Sequence, residues 1–314
     1  MSRVVCFGEA LIDMLPTEQG YQAMCGGAPA NVAVAVSKLG GNSYFIGGLS
    51  QDLMGQKLKR EMQEFGVNCD LAPEFPEKTA LVLVSLDQQG ERSFQFYRDN
   101  TADQQITNDS LKNIDWQRAD IFHFCSNTLT DEKSAAATVY ALERVKESNG
   151  IVSFDVNLRL TLWSETEDRS NIICMAIEEV LPFVDLVKLS TEELGFLSAK
   201  YGLTNKAYID SLLSHDVSCV IVTDGPATIH WYTKKEGGEI VPSKSKSVDT
   251  TAAGDSFVGG LLFRLSQLNS RKQLVEHIEH AHKLYELIKF ASKCGAHTVK
   301  IKGAFVALPR NCDV

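Results

Sequence analysis

The residues Asp249-Thr250-Thr251-Ala252-Ala253-Gly254-Asp255-Ser256-Phe257 pass from a small-residue turn straight into an apolar helical pattern and leave a carboxylate at the junction. Val258, Leu261, Leu262, Leu265 and Leu268 recur at helical spacing. The pattern predicts a helix beginning near Asp255, with its first free N–H groups pointing back over Ala252, Ala253 and Gly254. Such a helix end attracts anions, phosphate above all. Asp is also a common N-cap, worth roughly 1 kcal/mol, so this stretch alone leaves Asp255 either a cap or a catalyst.

Outward from that stretch, the chain from Asp120 onward alternates regularly. Strand-like runs at 121–124, 151–155, 186–189 and 220–223 are separated by helical patterns at 131–148, 169–181 and 191–201. This order predicts an α/β fold, a parallel sheet with helices on both faces. Ligands in such folds bind beyond the carboxyl ends of the strands. Those ends carry Asp155-Val156-Asn157-Leu158-Arg159, Lys188-Leu189-Ser190 and Thr223-Asp224-Gly225. A helix is expected at 271–291, followed by a tail at 299–307 punctuated by Gly295 and Gly303.

Toward the N-terminus, the apolar run 4–7 reads as another strand buried on both faces. A mixed segment containing Asp13, Pro16 and Gly20 leads into Gly26-Gly27-Ala28-Pro29-Ala30-Asn31. A small-residue helix over 32–39 follows, with Pro29 suited to its first turn and Gly40-Gly41 to its stop. Asp52 can cap a second helix that carries Leu58, Met62 and Phe65 and ends at Gly66. The period then changes to that of strands at 79–86 and 92–97, around Asp87-Gln88-Gln89-Gly90, which reads as a hairpin connection. These strands and the segment after the first strand form an expected β subdomain.

At 314 residues the chain exceeds the usual single-domain size, which predicts one large domain with an appended subdomain, or two domains. The composition, 44% hydrophobic and 23% charged, is that of a globular protein, and no apolar run approaches the ~20 residues of a membrane span. Met1 to Gly8 shows no export signal, so the expected location is the cytoplasm. A net charge of −9 disfavours a sequence-independent grip on nucleic acid. Eight cysteines without CxxC spacing are expected to be free.

Several chemistries are excluded by motif. The chain has no GxxxxGK[ST] loop, no HRD or DFG and no GxGxxG after its first strand. His277, His280 and His282 read as one helix, where only residues three or four apart share a face, so three imidazoles cannot converge on a metal. His123 sits inside an apolar strand and reads as a core histidine. Trp116, Trp163 and Trp231 show no interleaving with basic residues.

Two segments remain, the glycine-rich turn at 26–33 and the opening stretch extended to Gly260. Together they resemble the two signatures of the ribokinase-like (PfkB) carbohydrate kinases. Phe96-Tyr97-Arg98, Asp155 to Arg159 with Leu162-Trp163, and the tail from Lys302 to Pro309 are most similar to the fructokinase branch. The resemblance implies a ribokinase-like parallel-sheet core (residues 1–12, 26–75 and 104–314) and a small β-sheet lid (13–25 and 76–103). It implies transfer of the γ-phosphoryl of ATP to a sugar hydroxyl, with Asp255 as base and the Ala252, Ala253 and Gly254 turn facing the developing charge. Many family members have Gly where this chain has Ala252.

The same resemblance assigns Asp13, Gly26, Gly27, Asn31, Tyr97, Arg98, Arg159 and Asp255 to the sugar. It assigns Asn157, Lys188, Ser190, Thr223, Asp224, Gly225, Ala253 and Gly254 to the nucleotide. Glu193 would organise Mg2+ through water, and Asp249 and Thr251 match a loop for a monovalent cation such as K+. Ser190 stands where the wider family has Asn. Each residue also has a plain structural reading: loop glycines, helix-start residues, first-turn acids or a strand-end charge. The implied product is fructose 6-phosphate, and a homodimer paired through the lids is implied. Other acceptors (2-keto-3-deoxygluconate, ribose or a nucleoside) and a non-catalytic regulatory relative stay open at this point.

Overall fold

The computed structural model describes residues 1–86, 92–117, 120–268 and 270–314, so the connection at 87–90 lies outside the described residues. Fourteen strands are present among them: β1 (Arg3–Phe7), β2 (Leu11–Thr17), β3 (Gly20–Gly26), β4 (Asn42–Ile46), β5 (Leu49–Ser50), β6 (Glu74–Phe75), β7 (Leu81–Leu86), β8 (Arg92–Tyr97), β9 (Ile121–Cys125), β10 (Ile151–Asp155), β11 (Leu186–Ser190), β12 (Cys219–Thr223), β13 (Ile229–Thr233) and β14 (Gly237–Ile240). The α-helices are α1 (Ala28–Lys38), α2 (Leu53–Glu64), α3 (Asn108–Leu111), α4 (Glu132–Glu147), α5 (Arg169–Val180), α6 (Thr191–Lys200), α7 (Asn205–Ser214), α8 (Ala253–Ser266), α9 (Arg271–Ile278) and α10 (Ala281–Thr298).

The main sheet runs β14-β13-β12-β11-β10-β9-β1-β4. Its strands from β12 to β4 are parallel, and β13 and β14 are antiparallel additions at one edge. Successive side chains of a strand point to opposite faces, so each apolar run feeds two cores. Val4, Cys6, Ile121, Ile151 and Leu186 pack toward α1, α8 and α10. Val5, Phe7, Phe122, Phe124, Val152 and Phe154 pack toward α4, α5, α6 and α7. The continuous apolar runs are therefore strands covered on both faces, as the sequence reading expected. A second sheet, β3-β2-β7-β8, packs its own small core of Leu11, Leu15, Ala80, Val82 and Val84.

Two elements differ from the sequence reading. The helix expected over 271–291 is two helices, because His280 adopts extended geometry and caps α10, whose Ala281 N–H donates to Glu236 Oε1 from the far edge of the sheet. Helix α10 then runs through Gly295, expected to punctuate the tail, because that glycine lets α10 approach the start of α8; a Cβ there would lie 3.1 Å from the Ala253 carbonyl oxygen. Helix α8 begins at Ala253, two residues before Asp255, which places Asp255 in its first turn. Strands β4, β13 and β14 and helix α7 are additions to the sequence reading; β13 alternates strictly, with Ile229, Trp231 and Thr233 buried, but over only five residues.

All eight cysteines are free, seven of them buried. His123 is fully buried with Nδ1 3.2 Å from Ser153 Oγ, and burial pushes its imidazole down to about 3. Among the described residues no helix is long and apolar enough to cross a membrane.

The face under α4 to α7 depends on aromatic packing. Phe124 and Phe154, on adjacent strands, stack with centroids 4.7 Å apart and no exposed surface. Phe154→Ala should cost ~3–5 kcal/mol through lost burial and a residual cavity. The expected result is a lower urea midpoint with an unchanged m-value. An unchanged midpoint would contradict the packing.

Candidate active site

The carboxyl ends of β1, β9, β10 and β11, the N-termini of α1 and α8, and the inner face of the second sheet enclose one cleft of about 1220 Å³. Its position follows from the fold, because side chains just past parallel strands and N–H groups at helix starts converge on the same edge.

At one end, Gly27 caps α1 with a φ of +103, a conformation that L-residues rarely adopt. A Cβ on Gly27 would also lie 2.5 Å from the Glu9 carbonyl oxygen. A Cβ on Gly26 would lie 2.4 Å from Asp13 Oδ2, so the two glycines leave that carboxylate room beside the cleft. Four residues into α1, Asn31 Nδ2 donates to Asp255 Oδ2 at 2.7 Å.

Asp255 lies in the first turn of α8. Burial raises its carboxyl from the ordinary Asp range to about 6, helped by the charge of Asp155 and opposed by the Asn31 hydrogen bond and the charges of Lys188 and Arg159. A carboxyl poised there is ionised at neutral pH and still basic enough to accept a proton. Asp255 does not serve as the N-cap. The cap is Ala252, in left-handed geometry at φ +58 and ψ 10. The other non-glycine residues with positive φ among those described are Asn100, Asn149 and Asn157. Asn tolerates this region, whereas Ala pays of order 1 kcal/mol for it. The strain sits where the chain must turn the first N–H groups of α8 into the cleft.

Beside that helix start, Lys188 Nζ donates to both carboxylate oxygens of Asp155 at 3.0 Å. A Cβ on Gly254 would lie 3.5 Å from the same ammonium. Burial works against the Lys188 charge, yet Asp155 and Glu193 hold its pKa above the ordinary value. A retained cation and the positive start of α8 make this end of the cleft attractive to phosphate. Asn157 and Arg159 border it on the β10 side.

Glu193 closes a capping box: Ser190 N–H donates to Glu193 Oε2 at 2.7 Å and Glu193 N–H to Ser190 Oγ at 3.1 Å. Glu193 Oε1 accepts from Leu158 N–H at 2.7 Å. Both oxygens therefore bind backbone, and each keeps a further lone pair for a water. No group of three or more His, Cys, Asp or Glu placed to hold a metal ion occurs among the described residues. Asp249, buried, accepts from Thr251 N–H at 2.7 Å and Gly303 N–H at 3.0 Å, and so ties the loop before α8 to the tail.

Not every residue expected at the site reaches it. Arg98 is turned away from the cleft into a buried ion pair with Asp103 at 2.5 Å, and donates also to Thr130 Oγ1 and the Asn127 carbonyl oxygen. Tyr97, 52% exposed, does not border the cleft either. Thr223, Asp224 and Gly225 stand outside its walls, in a turn closed by Ala227 N–H donating to the Asp224 carbonyl oxygen at 2.8 Å. Conversely, Glu9 and Asn127 line the cleft without having been singled out in the sequence. Their only signal was position, two residues past a buried strand.

The chain belongs to the pfkB family of carbohydrate kinases, whose sequence pattern matches residues 1–311. It is 38% identical over 318 residues to a probable fructokinase-6, chloroplastic, of Arabidopsis thaliana, covering 98% of this chain and 79% of that protein. Its fold is similar to a fructokinase of Xylella fastidiosa with bound ATP, at TM-score 0.93 and 37% identity, covering 99% of this chain and 96% of the other. A double-mutant fructokinase of Vibrio cholerae, in a form with fructose, ADP and potassium ion bound, is similar at TM-score 0.87 and 34% identity, with 99% and 96% covered. The ribokinase-like core expected from the resemblance is thereby borne out.

The Asn31 hydrogen bond stabilises the ionised form of Asp255, so its removal has a definite sign. Asn31→Ala should move the Asp255 carboxyl above its value of about 6. A carboxyl-carbon NMR titration of the folded variant would show it, and an unchanged or lower value would disprove the coupling.

Proposed function

We propose that this protein is an ATP-dependent fructokinase that forms fructose 6-phosphate, with Asp255 as general base. One observation carries the catalytic part: a carboxyl held near pKa 6 in the first turn of α8, hydrogen-bonded to Asn31 and standing between two chemically opposite ends of the cleft. The family membership and the fructokinase relatives support the kinase and sugar parts.

On this reading Asp13, Asn31 and the backbone at Gly26 and Gly27 hold the sugar so that its reacting hydroxyl meets Asp255. Asp255 takes the hydroxyl proton as the oxygen attacks the γ-phosphorus, and the bond from that phosphorus to the β,γ-bridging oxygen breaks to release ADP. The N–H groups of Ala253 and Gly254 and the Lys188 ammonium face the charge on the transferred group. Lys188, Asn157 and Arg159 hold the nucleotide phosphates at the other end, and Ser190 and Glu193 fix the β11–α6 turn beneath them. When bound with ATP, Mg2+ neutralises phosphate charge, and Glu193 fits a role through water because both its oxygens already serve backbone N–H groups. Asp249 and Thr251 would shape a K+ loop next to α8.

The sheet of β3, β2, β7 and β8 acts as the lid that excludes water from the transfer. Its exposed Tyr21 and Tyr97 offer a surface for lids to pair in a homodimer, and the assigned location is the cytoplasm.

Two measurements test the proposal. In a coupled ADP-release assay, fructose should be turned over and Asp255→Ala should lower kcat by ~10²–10⁴ while folding and ATP binding persist. Turnover of ribose, a nucleoside or 2-keto-3-deoxygluconate in place of fructose would overturn the sugar assignment, and an active Asp255→Ala the base. Because the base works only when ionised, kcat/KM should fall as pH drops through about 6 and level off above it. A profile flat from pH 5 to 8 would remove Asp255 from the titrating step.

A further inference from the structure

The sugar end of the cleft contains acceptors that nothing in the protein satisfies. Glu9 Oε2, Asn31 Oδ1 and Asn127 Oδ1 have no hydrogen-bond partner, although these side chains are only 3%, 5% and 5% exposed. A buried acceptor without a donor is costly and asks for an explanation. All three residues border the cleft.

Neighbours fix the chemistry of these atoms. Asn127 Nδ2 donates to Glu9 Oε1 at 2.9 Å, and Asn31 Nδ2 donates to Asp255 Oδ2 at 2.7 Å. Glu9 Oε1 accepts in addition from the Ala28 N–H at the start of α1, at 3.3 Å. Those bonds orient the two amides so that their oxygens, which only accept, are left without a donor, and Glu9 Oε2 accepts alongside them when its carboxyl is ionised. Burial raises the Glu9 carboxyl above the ordinary range, opposed by the charge of Arg98 and the Asn127 hydrogen bond, while Arg98 directs its own N–H groups to Asp103, Thr130 and the Asn127 carbonyl oxygen.

The place in the fold also points to a ligand. Glu9 follows β1 and Asn127 follows β9, two neighbouring parallel strands. The chain adds β4 on one side of β1 and β9 to β12 on the other, so the two residues flank the point where the strand order reverses.

We propose that Glu9 and Asn127 are sugar-binding residues which, with Asn31, form an acceptor wall for the non-reacting hydroxyls of the substrate. The inference rests on the fructokinase reading and extends it: selection of the sugar depends on hydroxyl hydrogens delivered to Glu9 and Asn127 as well as to Asp13. The wall suits a polyol, which brings several O–H donors. A phosphate or carboxylate presents lone pairs to lone pairs there and is turned toward the Lys188 end.

The test compares wild type, Glu9→Gln and Asn127→Ser on fructose and on analogues that each lack one hydroxyl: 1-deoxy-, 3-deoxy- and 4-deoxyfructose and 2,5-anhydromannitol. Glu9→Gln keeps the side-chain volume but replaces one acceptor by an amide donor. It should lower kcat/KM for fructose by about 10- to 100-fold. On the analogue lacking the hydroxyl that Glu9 receives, variant and wild type should agree within about threefold, because the interaction is already absent. Asn127→Ser should show the same convergence on one analogue. An equal loss on every analogue for both variants would mean that the two residues only support the fold or bind a buried water, and would overturn the inference. Melting temperatures report folding, and direct titration of fructose into either folded variant gives the same comparison without turnover. Wild-type enzyme inactive on fructose would overturn the parent reading and the inference with it, and is recognised before any variant is compared.

Discussion

The 2.7 Å hydrogen bond from Asn31 to Asp255 joins residues 224 positions apart in the chain, and the site is arranged around it. It ties the first turns of α1 and α8, two helices packed in the same core under the sheet. Each helix presents positive potential at its start. In α1 that potential is met within the protein, since Glu9 Oε1 accepts from the Ala28 N–H. In α8 the cap is an alanine without a side-chain acceptor, and the Ala253 N–H meets only the Thr250 carbonyl oxygen, at 3.3 Å. One helix start faces a carboxylate from another element and the other faces no side-chain cap, and Asp255 stands between them.

This asymmetry gives the cleft a chemical direction. One end is rich in acceptors: Asp13, Glu9, Asn127 and the amide oxygen of Asn31. The other carries Lys188, Arg159 and the α8 N–H groups. The Asp255 pKa follows from lying where the two meet, raised by burial and Asp155 and restrained by Asn31, Lys188 and Arg159. The backbone strain follows the same logic. Asn157 and Ala252, both at positive φ, sit on the two segments that must turn into the cleft, from β10 and into α8. Their cost is carried by a fold with two extensive cores, one on each face of a sheet whose parallel strands are covered on both sides.

Much of this was legible in one dimension. The parallel strands β1, β9, β10, β11 and β12 announce themselves as short apolar runs, and Asp52 caps α2 as the sequence reading expects. Strands β4, β13 and β14 were not legible: β4 and β14 are short edge strands, and the alternation of Ile229, Trp231 and Thr233 in β13 spans only five residues. The break between α9 and α10 was hidden because its cause, the carboxylate of Glu236, lies 45 residues away on a different element. Arg98 shows the limit for the site: next to Phe96 and Tyr97 it reads as a residue reaching over a substrate, but in the fold Asp103 and the Asn127 carbonyl claim its guanidinium.

The opening stretch, Asp249 to Phe257, determined by itself that a small-residue turn enters an apolar helix with a carboxylate in its first turn, and that its likeness is to a sugar-kinase signature. Local chain chemistry suffices for that, since turn residues and helical period act over a few residues. Only the tertiary structure decided that Ala252 takes the cap in left-handed geometry, that Asp255 is freed from capping to meet Asn31, and that Glu9 and Asn127 converge on the same cleft. Those outcomes depend on desolvation and on hydrogen bonds between residues far apart in the chain, and a sequence pattern carries no record of which distant donor and acceptor the packed sheet brings together.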